Sequence, residues 1–316
     1  MSNVIEWYSG LDNYKKHTFT VDPNNKEHKY VLEILDRELP KEERNIFDIF
    51  ADYLSVRQTR TVEVLFSGGV DSELILKTCL LKKIPVRALT LRMYIHGILK
   101  NTHDLYYSEK FCRANGVEQK FIDLDIKSFY ENGNHIPYLE PYYVTRATLA
   151  TQLWLLEQAT GFPIIGGEYM WPWAHYNVMI LSPIRSLFSA HDRFMKDRGI
   201  MGIGTILDYG YESNVKILKS HINVVKSDIP RYNNLTMTAH SILKHYIWKK
   251  LGYEDIELRR RSGGWEYIDI DSYDLDRKKL EVELIKKYGV TIDKIKWNEG
   301  VAKILNNEPG ENNKFN

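Results

Sequence analysis

From Thr61 onward the chain alternates short apolar runs with stretches of helical spacing: VEVLF, SELILKTCLLKK, VRALTLRM, THDLYYSEKFCRANG and KFIDLDI succeed one another between Val62 and Ile126. Consecutive strands separated by helices cannot pair as hairpins. They pair in parallel through right-handed crossovers, so the pattern predicts an α/β, doubly wound, mainly parallel sheet. A longer helix over Thr145 to Thr160, closed by Gly161, leads into a further strand candidate, PIIGGE. Upstream, Asn25 to Leu39 and Lys41 to Gln58 carry apolar residues at helical spacing, with Pro40 between them. Downstream, Glu212 to Val225, Thr236 to Leu251 and Ser272 to Tyr288 read as helices. The expected organisation is a helical N-terminal extension (1–60), an α/β domain (61–200) and a mostly helical C-terminal region (201–316). The last stretch, NNEPGENNKFN, is polar and expected to fray.

The first strand ends at Phe66 and the first crossover helix begins near Ser72, which leaves Ser67 to Asp71 as a tight turn. Glycines at 68 and 69 open backbone angles closed to other residues and remove Cβ atoms that would block a ligand. Unpaired amides at a helix N-terminus then point outward, a ready site for an anion such as phosphate, and Ser67 and Ser72 add hydroxyl donors. Asp71 is repulsive beside an anion unless a cation bridges them. That combination predicts Mg2+ shared with phosphate oxygens, with Asp71 as metal ligand and catalytic group. No GxxxxGK[ST] and no GxGxxG occurs in the chain, which sets aside the Walker loop and the dinucleotide fingerprint. In a doubly wound sheet the ligand lies outside the carboxyl ends of the strands, so Leu89, Leu91 and Arg92 at the end of the second strand are expected to frame the nucleobase by backbone contacts.

The string SGGVDS, Ser67, Gly68, Gly69, Val70, Asp71 and Ser72, resembles the PP-loop of the N-type ATP pyrophosphatases at all six positions. That resemblance implies the adenine nucleotide alpha hydrolase-like fold with ATP and Mg2+ as cofactors. It also implies attack of a substrate oxygen on the α-phosphorus, releasing pyrophosphate. "IIGGEYMWPW" with the helix before it resembles the synthetase domain of asparagine synthetase-like proteins, which implies Gly166 and Gly167 near the nucleotide and Glu168 as a second metal ligand. The family's second acidic pair is missing, because Tyr169, Met170 and Trp171 stand there. "ELRRRSGGWEY" resembles that family's late basic segment loosely, and Arg261 and Lys250 are the catalytic cations it suggests for the charge gathering on the α-phosphate and the leaving pyrophosphate.

Four readings stay open at this point. A ligase that activates a carboxylate for attack by ammonia or an amine would need its nitrogen free, from an amine substrate or from a separate ammonia-supplying protein, since no cysteine stands near the N-terminus for a glutaminase. An RNA- or nucleobase-modifying enzyme, lysidine-type or other, should show a basic face. Lys plus Arg (43) nearly cancel Asp plus Glu (42) and the pI of about 7.7 gives nucleic acid little support. A phosphoadenylyl-sulfate reductase needs a late catalytic cysteine, and none follows Cys112. A catalytically silent nucleotide-binding protein is the fourth. Two isolated cysteines, Cys79 and Cys112, suggest neither zinc nor disulfides, and with no apolar run of membrane-spanning length the expected setting is the cytoplasm. The histidines are scattered without a metal-ligand spacing, His240 and His245 being five apart.

Overall fold

The computed structural model describes residues 3–9, 15–21, 28–35, 37–58, 60–142, 144, 146–166, 172–173, 178–179, 190–204, 210–226, 239–259, 264–275 and 295–297. The chain opens with strands β1 (Asn3–Ser9), β2 (Lys15–Val21) and β3 (His28–Ile34), followed by helix α1 (Ile46–Ser55). β1, β2 and β3 pair antiparallel in sequence order, and β11 (Ile295–Trp297) joins β3 in parallel. The helix expected over residues 25–39 is therefore corrected to a strand. Val31, Ile34 and Leu35 satisfy a helical spacing, but KYVLEI is equally a short apolar run, and length and β-branched neighbours decide such a case for a strand. Pairing of seven residues with β2 supplies the backbone partners. The helix expected over 41–58 is present as α1, whose N-cap Asn45 accepts from the Asp48 amide at 2.8 Å.

The central sheet is built from β4 (Val62–Leu65), β5 (Val86–Ile95), β7 (Glu118–Asp125) and β8 (Phe162–Ile165), all parallel. Their spatial order is β7-β5-β4-β8, third-second-first-fourth in the chain. Between them run α2 (Val70–Leu81), α3 (Thr102–Asn115), α4 (Ile126–Glu131), α5 (Ile136–Leu139) and α6 (Thr148–Glu157). The order reverses between β4 and β8, which makes the space outside their carboxyl ends the switch-point crevice of a doubly wound sheet. A two-residue strand β6 (Ile98–Leu99) folds back antiparallel on the end of β5, with His96 and Gly97 both at positive φ, the geometry of a tight hairpin. Further on lie β9 (Pro172–Trp173) paired with β10 (Val178–Met179), then α7 (Ala190–Asp197), α8 (Tyr211–Lys226) and α9 (Ala239–Lys250). Of the helix expected over 272–288, residues 276–288 fall outside the described residues, and Ile270–Tyr273 form a 3-10 turn.

Strand alternation divides the core between the two faces of the sheet. Val62, Val64 and Phe66 meet α1, α2, α3 and α9, with Phe50 and Trp248 fully buried among them. Leu65 and Leu89 face the other way, onto a cluster that includes Phe129, Leu153 and Phe194. Truncating an aromatic such as Trp248 to alanine costs roughly 3–5 kcal/mol. Helix α9 is thus part of the same core as the first strand and the first crossover helix. Glu63, wholly buried in β4, accepts from the amides of Thr160 and Gly161 at 2.7 Å each and pairs with Arg87. Burial would raise its pKa, but the Gly161 amide, Arg87 and the Thr160 amide outweigh it and hold the carboxyl below the ordinary value. This carboxylate fastens the turn before β8 to β4 at the amino ends of the two strands.

Candidate phosphate-binding site

The turn after β4 sits at the reversal of strand order. Gly69 is the N-cap of α2 and offers no side-chain cap, and the first amide of the helix region to find a backbone acceptor is that of Glu73, which bonds to the Gly69 carbonyl at 3.0 Å. Among the described residues, the amides from Gly68 to Ser72 donate to nothing. Ser67 and Gly69 are exposed, while Val70 and Ser72 are half-buried. The loop therefore presents uncompensated N–H groups and the positive end of a helix dipole to the crevice.

Two glycines let the backbones converge there. Gly68 has φ +82°, and a Cβ on it would stand 2.4 Å from the Asp104 carbonyl oxygen in the first turn of α3. A Cβ on Gly166, just after β8, would stand 2.7 Å from Ser72 Cα and 2.8 Å from its nitrogen. A side chain at 166 would cover an amide of the helix head. The structure thus brings Gly166 to the loop. Gly167 and Glu168 lie outside the described residues.

The cations differ from those the sequence suggested. Arg259, 8% exposed, donates to the Gly68 carbonyl at 2.6 Å, pairs with Glu73 at 2.7 Å and lies 4.9 Å over the Tyr107 ring. The Tyr253 hydroxyl completes the group by donating to Glu73. Asp71 is buried and turned to α9: Lys244 forms an ion pair with Oδ2, and Trp248 Nε1 donates to Oδ1 at 3.0 Å. Lys250, by contrast, is exposed at the last turn of α9, on a different face from Lys244, Ile247 and Trp248. Arg261 lies outside the described residues. The signal for Lys244 was present in the sequence: it stands three and four residues before Ile247 and Trp248, a lysine inside a buried helical stripe. Nothing in ELRRRSGG distinguishes the first arginine from the third.

The expected metal fits these residues poorly. Both carboxylate oxygens of Asp71 are engaged, one by an ammonium group that would repel a dication, and no group of three or more His, Cys, Asp or Glu able to hold a metal exists among the described residues. The nucleobase frame expected at Leu89, Leu91 and Arg92 is not an open strand end, because β5 runs on to Ile95. The Leu89 carbonyl accepts from Phe66 N at 2.9 Å, the Leu91 carbonyl from Asn101 Nδ2 at 2.8 Å, and Arg92 holds Asp123 through two bonds of 2.6 and 2.9 Å. Burial pushes the thiols of Cys79 and Cys112 up to about 12, which leaves neither as a nucleophile near neutrality. No helix among the described residues is long and apolar enough to cross a membrane.

Fold and site together define a doubly wound α/β protein with an uncapped, glycine-lined helix head at the switch point. No family model matches the chain, and no curated protein matches it significantly. Among solved structures, a predicted subunit of tRNA methyltransferase from Methanocaldococcus jannaschii aligns at 17% identity and a TM-score of 0.29, over 60% of this chain and 87% of that one. An NH3-dependent NAD synthetase from Campylobacter jejuni aligns at 15% identity and 0.29, over 68% and 96%. A glutamine-dependent NAD+ synthetase from Acinetobacter baumannii aligns at 14% and 0.29, over 88% and 51%. Similarity this low leaves the assignment to the loop's own geometry.

Proposed function

We propose that this chain binds the polyphosphate of ATP at Ser67 to Ser72 and uses it to adenylate an acceptor. One observation carries the reading: among the described residues, the five consecutive amides from Gly68 to Ser72, leading into a twelve-residue helix, lack partners where the strand order reverses, and Gly166 on the neighbouring segment leaves Ser72 uncovered. In the reaction, an oxygen of a carboxylate bonds to the α-phosphorus while the bond from that phosphorus to the bridging oxygen breaks, and pyrophosphate leaves in the grip of the loop. Ammonia or an amine then displaces AMP. This outcome follows the resemblance of SGGVDS to the PP-loop. Positioning and main-chain charge stabilisation carry the catalysis. Arg259 acts as a positioning residue through the Gly68 carbonyl, and Arg261 remains the candidate for stabilising charge on the departing group.

A catalytically silent nucleotide binder is the second reading, favoured by the clamp of Lys244 and Trp248 on Asp71. Incubation with α-labelled ATP, Mg2+ and mixed carboxylates plus ammonium, and separately with bulk tRNA, decides between them. AMP formed only with the carboxylates supports the ligase, and AMP formed only with tRNA supports an RNA-modifying enzyme. ADP defeats both, and binding without turnover in either mixture supports the silent binder.

A further inference from the structure

The edge of β5 beyond the end of β4 is occupied by a side chain. Asn101 precedes the first residue of α3 but does not cap it. Its carboxamide instead reaches back to the strand: Oδ1 accepts from the Met93 amide at 2.9 Å and Nδ2 donates to the Leu91 carbonyl at 2.8 Å. Asn101 is 4% exposed, and Gly264, at φ +82°, lies so close that a Cβ on it would stand 3.1 Å from Asn101 Cβ.

The chemistry of that contact is specific. A strand carbonyl and the amide two residues later ask for one donor and one acceptor separated by a single carbon. A primary carboxamide offers that pair, and so does the N6 amino group and N1 of adenine, joined through C6. Guanine offers the reverse, a carbonyl at C6 and a proton on N1, and would set oxygen against the Leu91 carbonyl. The edge also lies at the right place. Leu65 pairs with Leu89, so Leu91, two residues on, stands level with Ser67, where the phosphate loop begins. Tyr94 pairs with Asp125 on one side and Leu99 on the other, so the β6 hairpin lies on the β4 side and closes that edge from beyond.

We propose that Asn101 is an internal stand-in for a 6-aminopurine: a nucleotide seated on the loop displaces its carboxamide and takes over the Leu91 carbonyl and the Met93 amide. The inference rests on the phosphate reading of Ser67 to Ser72. Asn101 then sets the affinity for the base, the Leu91 carbonyl and the Met93 amide set the choice of adenine over guanine, and a ligand without a base is unaffected by Asn101.

Inorganic pyrophosphate reports the loop alone, and ATP reports loop plus base. In titrations of the full chain, Asn101→Ala should bind pyrophosphate as the parent does and ATP about tenfold more tightly, the change expected when two competing hydrogen bonds no longer have to be broken. GTP should gain nothing. In the unaltered protein, the side-chain NH2 resonances of Asn101 should shift on addition of ATP and stay in place with pyrophosphate, a measurement that stands if the variant fails to fold. An unchanged or lowered ratio of ATP to pyrophosphate affinity, or NH2 resonances unmoved by saturating ATP, overturns the proposal while the phosphate reading survives. Failure of pyrophosphate to bind either protein overturns both.

Discussion

The guanidinium of Arg259 holds the carbonyl of Gly68 from 191 residues away in the chain, at 2.6 Å, while its other nitrogen pairs with Glu73 in the first turn of α2. A carbonyl fixed on one side of a peptide fixes the direction of the amide that follows it, since the peptide unit is planar. The orientation of the Gly69 N–H is thus set from the C-terminal region.

Arg259→Ala should accordingly lower pyrophosphate affinity by about tenfold or more and destabilise the fold by about 3 kcal/mol, because it leaves the buried Glu73 carboxylate with only Tyr253. Urea unfolding and pyrophosphate titration measure the two effects. Arg259→Lys should recover part of the stability and little of the affinity, since an ammonium group does not reproduce two divergent donors.

Gly68 and Gly69 should separate structure from ligand. Gly68→Ala forces a Cβ against the Asp104 carbonyl at a backbone angle unfavourable for alanine, and a marked fall in urea midpoint is expected. At Gly69 a Cβ would meet only Ser67 Oγ, at 3.6 Å, so Gly69→Ala should keep stability within about 1 kcal/mol while weakening pyrophosphate binding. Equal stability losses in the two variants would contradict this account of the turn.

Asp71→Asn removes the charge that Lys244 pairs with in the buried clamp, and a loss of about 3 kcal/mol is expected in thermal or urea unfolding. The double variant Asp71→Asn with Lys244→Met should recover part of it, as a double-mutant cycle would register. The sequence reading makes Asp71 a metal ligand and catalytic group. The buried clamp gives it a stability role as well, and the cycle measures how much.

Glu63 gives a pH dependence of definite sign. Its folded pKa lies below the ordinary carboxylate value of 4.5, so its contribution is fully present above that value and disappears as pH falls through the lower folded pKa. Urea midpoints should fall more steeply below pH 4.5 in the parent than in Glu63→Gln, which should be weaker at neutral pH and flatter in acid.

The parallel sheet, its first crossover helix and the turn between them were legible because apolar runs and helical spacing alternate there without ambiguity. β1, β2 and β3 were not, since seven-residue strands with polar residues interspersed show no distinguishing period until a partner strand is known. At the site, the glycines and serines were legible from local backbone demands. Arg259 and Asn101 were not: each acts on a residue distant in sequence or through a side chain turned away from its local role. Residue type fixes what such a group can bond to, and only the fold decides which group it meets.

Gly68, Asp71 and Glu73 are each gripped by partners 191, 173 and 180 positions further along the chain. Contacts of such separation form late, after the entropy of closing long loops has been met. A nascent chain that has released its first strand and helix from the ribosome still lacks a finished turn, and acquires one only when residues 244 to 259 emerge. The turn is therefore braced only after residue 259 has been made, and a polypeptide halted before that point would carry the motif without its brace.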